Sequence, residues 1–313
     1  MKKSVIVGLL ITIIGTVMMA VALGHTGFKT IVWDDGFKVV DDQTGSVKMT
    51  KKTLKSSVNQ IKFATRSRVV IQTGDVKKPT VSSSKFNEVK QSGRSINIIG
   101  KGHPRTQIVG FSMSGYSGGT GDVVITVPKD QQLEKVVGHD KNGVSISGIT
   151  VNKLKLSGDG DIQIQNVHSQ EPITLKNTDD TTLKNVTAPG INQTSDGGDL
   201  TYQNADFSNG ATSISSDGGD VSLDSTKLKD VVINSDGGDI HLNRNSVVGS
   251  VIADADGGDI NALISNRKEV QISASADDGD VSIFGSLRNS WRLSQHKNIT
   301  YRLSSDGGDI SVK

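Results

Sequence analysis

The chain contains no cysteine. That excludes disulfides, Cys-ligated zinc, iron–sulfur clusters, a cysteine nucleophile and a lipidated cysteine at the end of an export signal. Proline is scarce, at 5 of 313 residues, and aromatics are only 4%. Turns must therefore be built mainly by Asn, Asp and the 35 glycines. Too few rings are present for a core built on large side chains, so a thin, repetitive core of Val, Ile, Leu and Ala is expected. Beyond residue 27 no segment carries a long apolar pattern at period 3.6, which argues against helices in the body of the chain. The six histidines (His25, His103, His139, His168, His241 and His296) are scattered and form no metal-ligand spacing.

The one long apolar run is at the start. Met1-Lys2-Lys3 precedes a charge-free stretch from Ser4 to Gly27. Twenty residues at about 1.5 Å rise match the roughly 30 Å hydrocarbon core of a bilayer. The spacing predicts a transmembrane helix through the lipid bilayer over residues 4–24. Lys2 and Lys3 favour a cytoplasmic N-terminus and an extracellular C-terminal domain. The rival reading is a cleaved signal peptide, with Ala20-Val21-Ala22 or Ala22-Leu23-Gly24 as cleavage sites.

Net charge is +2, but its distribution is uneven. Residues 1–140 hold 20 Lys/Arg and 10 Asp/Glu, giving +10, while residues 141–313 hold 15 and 23, giving −8. Between 47 and 105 there are 14 basic residues and only Asp75 and Glu88 as acids. The expected organisation is an anchor or signal at 1–27, a juxtamembrane connector at 28–57, a basic β region at 58–140 and acidic repeats at 141–313. Short strands are expected at 58–64, 68–72, 79–83, 95–99 and 123–127, the last ended by Pro128.

Internal repetition is the dominant signal. Asp-Gly-Gly-Asp occurs at 196–199, 217–220, 236–239, 256–259 and 306–309, with Asp277-Asp278-Gly279-Asp280 as a near copy and Gly158-Asp159-Gly160-Asp161 as an earlier variant. The closing aspartates step by 21, 19, 20, 21 and 29 residues. A period near 20 is the signature of a solenoid. After each closing Asp, the first and third residues are mainly apolar, as in Val221/Leu223 and Ile240/Leu242. Six before it, an apolar residue recurs except at Gln193, and four before it stands Ser or Ala. This period-two alternation on both sides of a Gly-Gly turn predicts an all-β, β-helix-like stack. The glycines are expected to supply positive φ at a tight corner. The long final step implies that residues 288–298, with Trp291, form a loop or a cap over the open end.

These Ser-Asp-Gly-Gly-Asp-(Ile/Val)-x-(Ile/Leu) units, the strand at 123–127 with Pro128, and the Gly-Asp-Gly-Asp-Ile core within 151–167 resemble the bacterial "putative adhesin" family of β-strand-repeat surface domains. The resemblance covers roughly residues 60–313. It implies a repeat fold at a cell surface beside a single N-terminal membrane segment, and it offers no catalytic residues to carry over.

Two site readings follow from the residues. In a solenoid the pairs Asp196/Asp199, Asp217/Asp220, Asp236/Asp239 and Asp256/Asp259 stack into acidic rows, a candidate Ca²⁺ site because calcium takes oxygen ligands. The competing reading is structural, since Asp favours turns by bonding nearby backbone N–H groups. The Gly-rich run at 115–121 lacks the Lys-Ser/Thr of a phosphate loop. No cofactor is implied, and no aromatic–basic pattern for nucleic acid is seen. The expected function is a non-catalytic envelope module, with anionic cell-envelope polymers or other envelope proteins as partners. The alternative is a carbohydrate-active β-helix enzyme acting on envelope polysaccharide, which would need carboxylates clustered in a groove.

Overall fold

The computed structural model describes residues 30–33, 37–40, 48–101, 107–108, 121–292 and 299–313. The apolar stretch at 4–24 lies outside the described residues. Among the described residues every regular element is a strand, and no helix is long and apolar enough to cross a membrane.

The chain divides into two units. One, drawn from residues 1–47 and 103–120, contains a small antiparallel sheet of Thr30–Trp33, Phe37–Val40 and Gln107–Ile108. The expected connector at 28–57 thus contains strands. The other, residues 48–102 and 121–313, is a stack of coils whose strands form two long sheets.

Each coil contributes one strand to each sheet. The polypeptide leaves the second sheet, turns through the aspartate corner, enters the first sheet, and returns through a second corner. The strand Ile191–Ser195 leads through 196–199 into Leu200–Gln203, and Lys227–Ser235 leads through 236–239 into Ile240–Asn243. Successive coils pair parallel and in register, so Leu200 lies opposite Val221, Val221 opposite Ile240, and Ile240 opposite Ile260. Alternate side chains point inward. The inner column of the first sheet therefore reads Val144/Ile146, Ile162/Ile164, Thr181/Leu183, Leu200/Tyr202, Val221/Leu223 and Ile240/Leu242, all buried. Burying each such side chain contributes about 1.5–3 kcal/mol, but only when a neighbouring coil covers it. Both sheets run uninterrupted across residue 140, because Gln132–Asp140 pairs with Gln60–Thr65 and Thr150–Ser157 in one, and Val144–Ser147 with Val69–Gly74 and Ile162–Gln165 in the other.

Stacking order departs from sequence order at both ends. In the first sheet Val69–Gly74 lies between Val123–Pro128 and Val144–Ser147. In the second, Gln60–Thr65 lies between Ser95–Gly100 and Gln132–Asp140. At the far end the C-terminal coil is inserted inside the stack. Ile299–Ser305 pairs with both Ser246–Ala255 and Val270–Ala276, and Ile310–Val312 pairs with both Ile260–Leu263 and Val281–Ile283.

The outermost strands are antiparallel. Met49–Thr53 and Asn87–Ser92 end the sheets at one end, Ser286–Leu287 and Ser290–Arg292 at the other. Trp291 packs edge-on to Phe284 at 4.9 Å, with Arg267 and Arg288 over the two rings. Short, charged, reversed edges discourage further strand addition. The expected cap around 288–298 is thus partly seen in Ser290–Arg292, and residues 293–298 lie outside the described set.

Candidate functional site

The aspartate corner is the most regular surface feature, and its geometry is set by contact between coils. Each closing aspartate donates its backbone N–H to Oδ1 of the closing aspartate below. Asp199 donates to Asp180 at 2.9 Å, Asp220 to Asp199 at 3.0 Å, and Asp239 to Asp220 at 2.8 Å. Asp259 donates to Asp239, Asp309 to Asp259 and Asp280 to Asp309, each at 2.8 Å. The ladder follows spatial order, so Asp309 stands between Asp259 and Asp280.

A hydroxyl completes the turn from inside. Ser216 and Ser235 are buried, and each donates from Oγ to the carbonyl of the second glycine of its own motif, at 3.1 and 2.9 Å. Ser305, also buried, donates to Gly258 O of the adjacent coil at 3.0 Å and accepts from Gly308 N–H at 2.9 Å. The small residue four before the closing aspartate is therefore a capping hydroxyl in most copies.

The expectation of positive φ at the Gly-Gly pair is corrected. Gly237 and Gly238 are not among the positive-φ residues. Glycine is required at the second position for another reason. A Cβ on Gly238 would sit 2.4 Å from the backbone of Gly219, and one on Gly258 would sit 2.3 Å from Gly238 O. The first glycine is freer, because a Cβ on Gly237 would meet nothing nearer than 3.5 Å. Positive φ is found at the aspartate corner only in the early coils, at Gly143, Gly158 and Asn177, and recurs at the other corner, just after the first-sheet strands. There Gly148, Asn166, Asn185, Asn204, Ser225 and Arg244 adopt φ between 51° and 70°. Asn and Gly tolerate this region best. Asn185 donates to Asn166 Oδ1 at 2.9 Å, beginning an asparagine column. The spacing of 19 between Asn166, Asn185 and Asn204 was a readable signal for it.

The structure brings the candidate ligands Asp196, Asp199, Asp217, Asp220, Asp236, Asp239, Asp256 and Asp259 into one ridge. The closing members already engage Oδ1 with backbone N–H groups, and the opening members are solvent-exposed. Among the described residues no three His, Cys, Asp or Glu side chains converge as a metal-holding group. At the start of the ridge Asp161 is pushed above the usual carboxylate range, first by desolvation and then by the like charges of Asp180 and Asp179. His241 Nε2 lies 3.9 Å from Asp239, a loose exposed pair on an open face.

Among the buried polar side chains, Gln193 and Asp140 break the repeat pattern. Gln193, the exception to the apolar repeat, accepts from the buried Tyr202 hydroxyl at 2.6 Å and donates to Thr178 Oγ1 at 3.2 Å. Its amide is thus satisfied inside the stack. Asp140 ends its strand where later coils carry a serine. Its Oδ1 accepts from Asn142 and Gly143 N–H at 2.6 and 2.7 Å, while buried Oδ2 has no partner. Desolvation pushes its carboxyl up to about 6.

Salt bridges link neighbouring coils along the sides. Lys153 pairs with Glu171 at 2.8 Å, Lys227 with Asp206 at 3.0 Å and Arg244 with Asp224 at 3.1 Å. Partners separated by about one coil favour the observed register, although each exposed pair contributes little by itself.

Comparison with solved structures finds chains of the same extent. One, described as a putative adhesin from Bacteroides fragilis NCTC 9343, is 14% identical, with 86% of this chain and 99% of that one covered and a TM-score of 0.39. Another, from Parabacteroides distasonis ATCC 8503 and described in the same words, is 13% identical over 85% and 98%, with a TM-score of 0.32. A third, described as a putative lipid binding protein from the same organism, is 8% identical over 84% and 96%, with a TM-score of 0.38. No curated protein matches the chain. The model of the Toastrack DUF4097 family matches residues 58–313, the whole run from the first coil to the last, and the chain belongs to that family.

Proposed function

We propose that the domain is a non-catalytic surface module of the adhesin type, held at the outer face of a membrane by residues 4–24, with its basic end turned toward anionic envelope material. The carrying observation is where charge falls on the stack. Lys51 and Lys52 project from the edge strand Met49–Thr53, all of whose residues are exposed. Lys55, Lys77, Lys78, Lys85 and Arg94 are exposed in the same terminal part of the stack. The aspartate ridge begins several coils away. Surface attraction fades over roughly 8–10 Å at physiological salt, so only that end would feel headgroups or anchored polymer.

The arrangement of carboxylates favours a module over a glycan-cleaving enzyme. A hydrolase of that kind needs two carboxylates facing one another across a bound sugar. Here the aspartates lie along one corner of the coils, the opening ones exposed and the closing ones joined to the next coil by hydrogen bonds. The apolar recess lined by Leu228, Val231, Leu242, Val251 and Tyr301 contains no carboxylate.

The test uses residues 28–313 and vesicles containing an anionic lipid. Binding is expected at low salt and release as salt rises, and changing Lys48, Lys51, Lys52 and Lys55 to Gln should weaken it. Changing Asp196, Asp217, Asp236 and Asp256 to Asn should not. Binding that ignores both salt and the lysines would overturn the docking. Full protection of the domain from protease added to wall-stripped cells would overturn the outward orientation.

A further inference from the structure

The C-terminal coil lies between two coils that match one another without it. Ile299 faces both Gly249 and Val270, Tyr301 faces Val251 and Ile272, Leu303 faces Ala253 and Ala274, and Ser305 faces Ala255 and Ala276. In the other sheet Ile310 faces Ile260 and Val281, and Val312 faces Ala262 and Ile283. Removing 299–313 and closing the gap would set inward residue on inward residue throughout. Asp280 would then meet Asp259 as it now meets Asp309.

The outer position is blocked. After Val281–Ile283 the chain reverses, and Ser286–Leu287 and Ser290–Arg292 pair antiparallel along the outside of the 270–283 coil. The last coil cannot add there without displacing them, and no strand pairing joins the 246–263 and 270–283 coils in the observed order.

We propose that the stack has a second order, in which the 270–283 coil closes directly on the 246–263 coil with residues 299–313 expelled, and that the C-terminal coil is inserted last into this closed form. The closed form keeps the ladder and the cap but exposes Tyr301, Leu303, Ile310 and Val312, all buried in the observed order. The inserted order is therefore the more stable, and the closed one is an earlier, metastable state of the same chain. Two packings of one sequence around a slot in a sheet form a bistable element.

The absence of cysteine makes the two orders separable by disulfide trapping in the full chain. Asp254 and Ser304 are registered neighbours, as are Ser304 and Ser275, so Asp254 and Ser275 stand two strands apart. At about 4.8 Å per strand that is roughly 9.6 Å, beyond disulfide reach. The variant D254C/S304C should oxidise quantitatively in the folded protein. The variant D254C/S275C should stay reduced there, but should form its bond when the chain refolds from denaturant under oxidising conditions. The trapped product should be cleaved by trypsin at Arg302, whereas in the inserted form strand pairing on both edges of Ile299–Ser305 should protect that site. Equal melting of both reduced variants and the parent chain controls for misfolding. The proposal is overturned if D254C/S275C stays reduced throughout refolding while D254C/S304C oxidises from the earliest times. It is equally overturned if the D254C/S275C bond forms but Arg302 remains protected.

Discussion

The two corners of each coil solve the same problem by different means. The aspartate corner uses glycine because the backbones of successive turns touch, with closest approaches of 2.2–2.4 Å for a hypothetical Cβ at Gly198, Gly219, Gly238 and Gly258. The opposite corner uses one left-handed residue in most coils, and Asn, Ser or even Arg serves. One corner is constrained by its neighbour, the other by its own dihedral angles. Glycine conservation of shape in a repeat therefore need not mean positive φ.

The largest expected effect tests the crowded corner. Gly238→Val drives side-chain carbons into the Gly219 backbone and should destabilise the domain by about 3 kcal/mol, the upper end of the usual cost of overpacking, because the neighbour is backbone. Gly237→Ala should cost less than about 1 kcal/mol, since its nearest contact is ordinary at 3.5 Å. Urea unfolding of both variants reads the contrast. Equal losses would mean that the two glycines play the same role.

Next in size is Asp140, the acid where later corners carry serine. Its folded pKa of about 6 stands above the ordinary 3.8, so the unfolded chain releases the proton first. Stability from this group therefore falls as pH rises from about 3.8 to about 6, and the penalty is complete above that range. Asp140→Asn keeps the Oδ1 acceptor and should raise stability at pH 7.5 by about 2 kcal/mol, with little change at pH 3.5. Chemical denaturation at the two pH values measures this, and a loss of stability at both would show that the carboxylate is satisfied.

The polar exception in the core comes third. Gln193→Leu restores the apolar repeat but leaves the Tyr202 hydroxyl without its acceptor, so a loss of about 1–3 kcal/mol is expected despite the better pattern. The double change Q193L/Y202F should recover most of it. Failure of the double variant to recover would separate the effect from hydrogen bonding. The smallest effect tests the permissive corner: Asn204→Ala should cost about 1 kcal/mol, and Asn204→Gly close to nothing. A thermal melt distinguishes them, and equal costs would remove the backbone explanation.

Much of the fold was readable. The strands expected at 58–64, 68–72, 79–83, 95–99 and 123–127 are found within a few residues, most of them marked by inward apolar residues that recur with period two. The ridge was also readable, since a step near 20 places Asp199, Asp220 and Asp239 in one column. The turn at 178–181 was missed because Thr178-Asp179-Asp180-Thr181 contains no glycine, although Asp180 continues the ladder. Stacking order was not readable either. Coils of nearly identical pattern are interchangeable in local terms, and only the reversed strands at 286–292 force the last one inward. The role of Gln193 required its partner, Tyr202, nine residues away, whose hydroxyl gives no sequence signal.

Both ends of the stack hold a coil with a neighbour on each side, and this bears on mechanical load. Within the stack, tension entering from the N-terminal direction first reaches Met49–Thr53, an exposed strand paired on one edge to Thr80–Ser84. That strand can peel bond by bond at low force. Peeling then meets Gln60–Thr65 and Val69–Gly74, each clamped between two partners, and tension along such strands must break both ladders together. A stack pulled in this way would thus lengthen by a few residues and then hold, a fuse ahead of a lock.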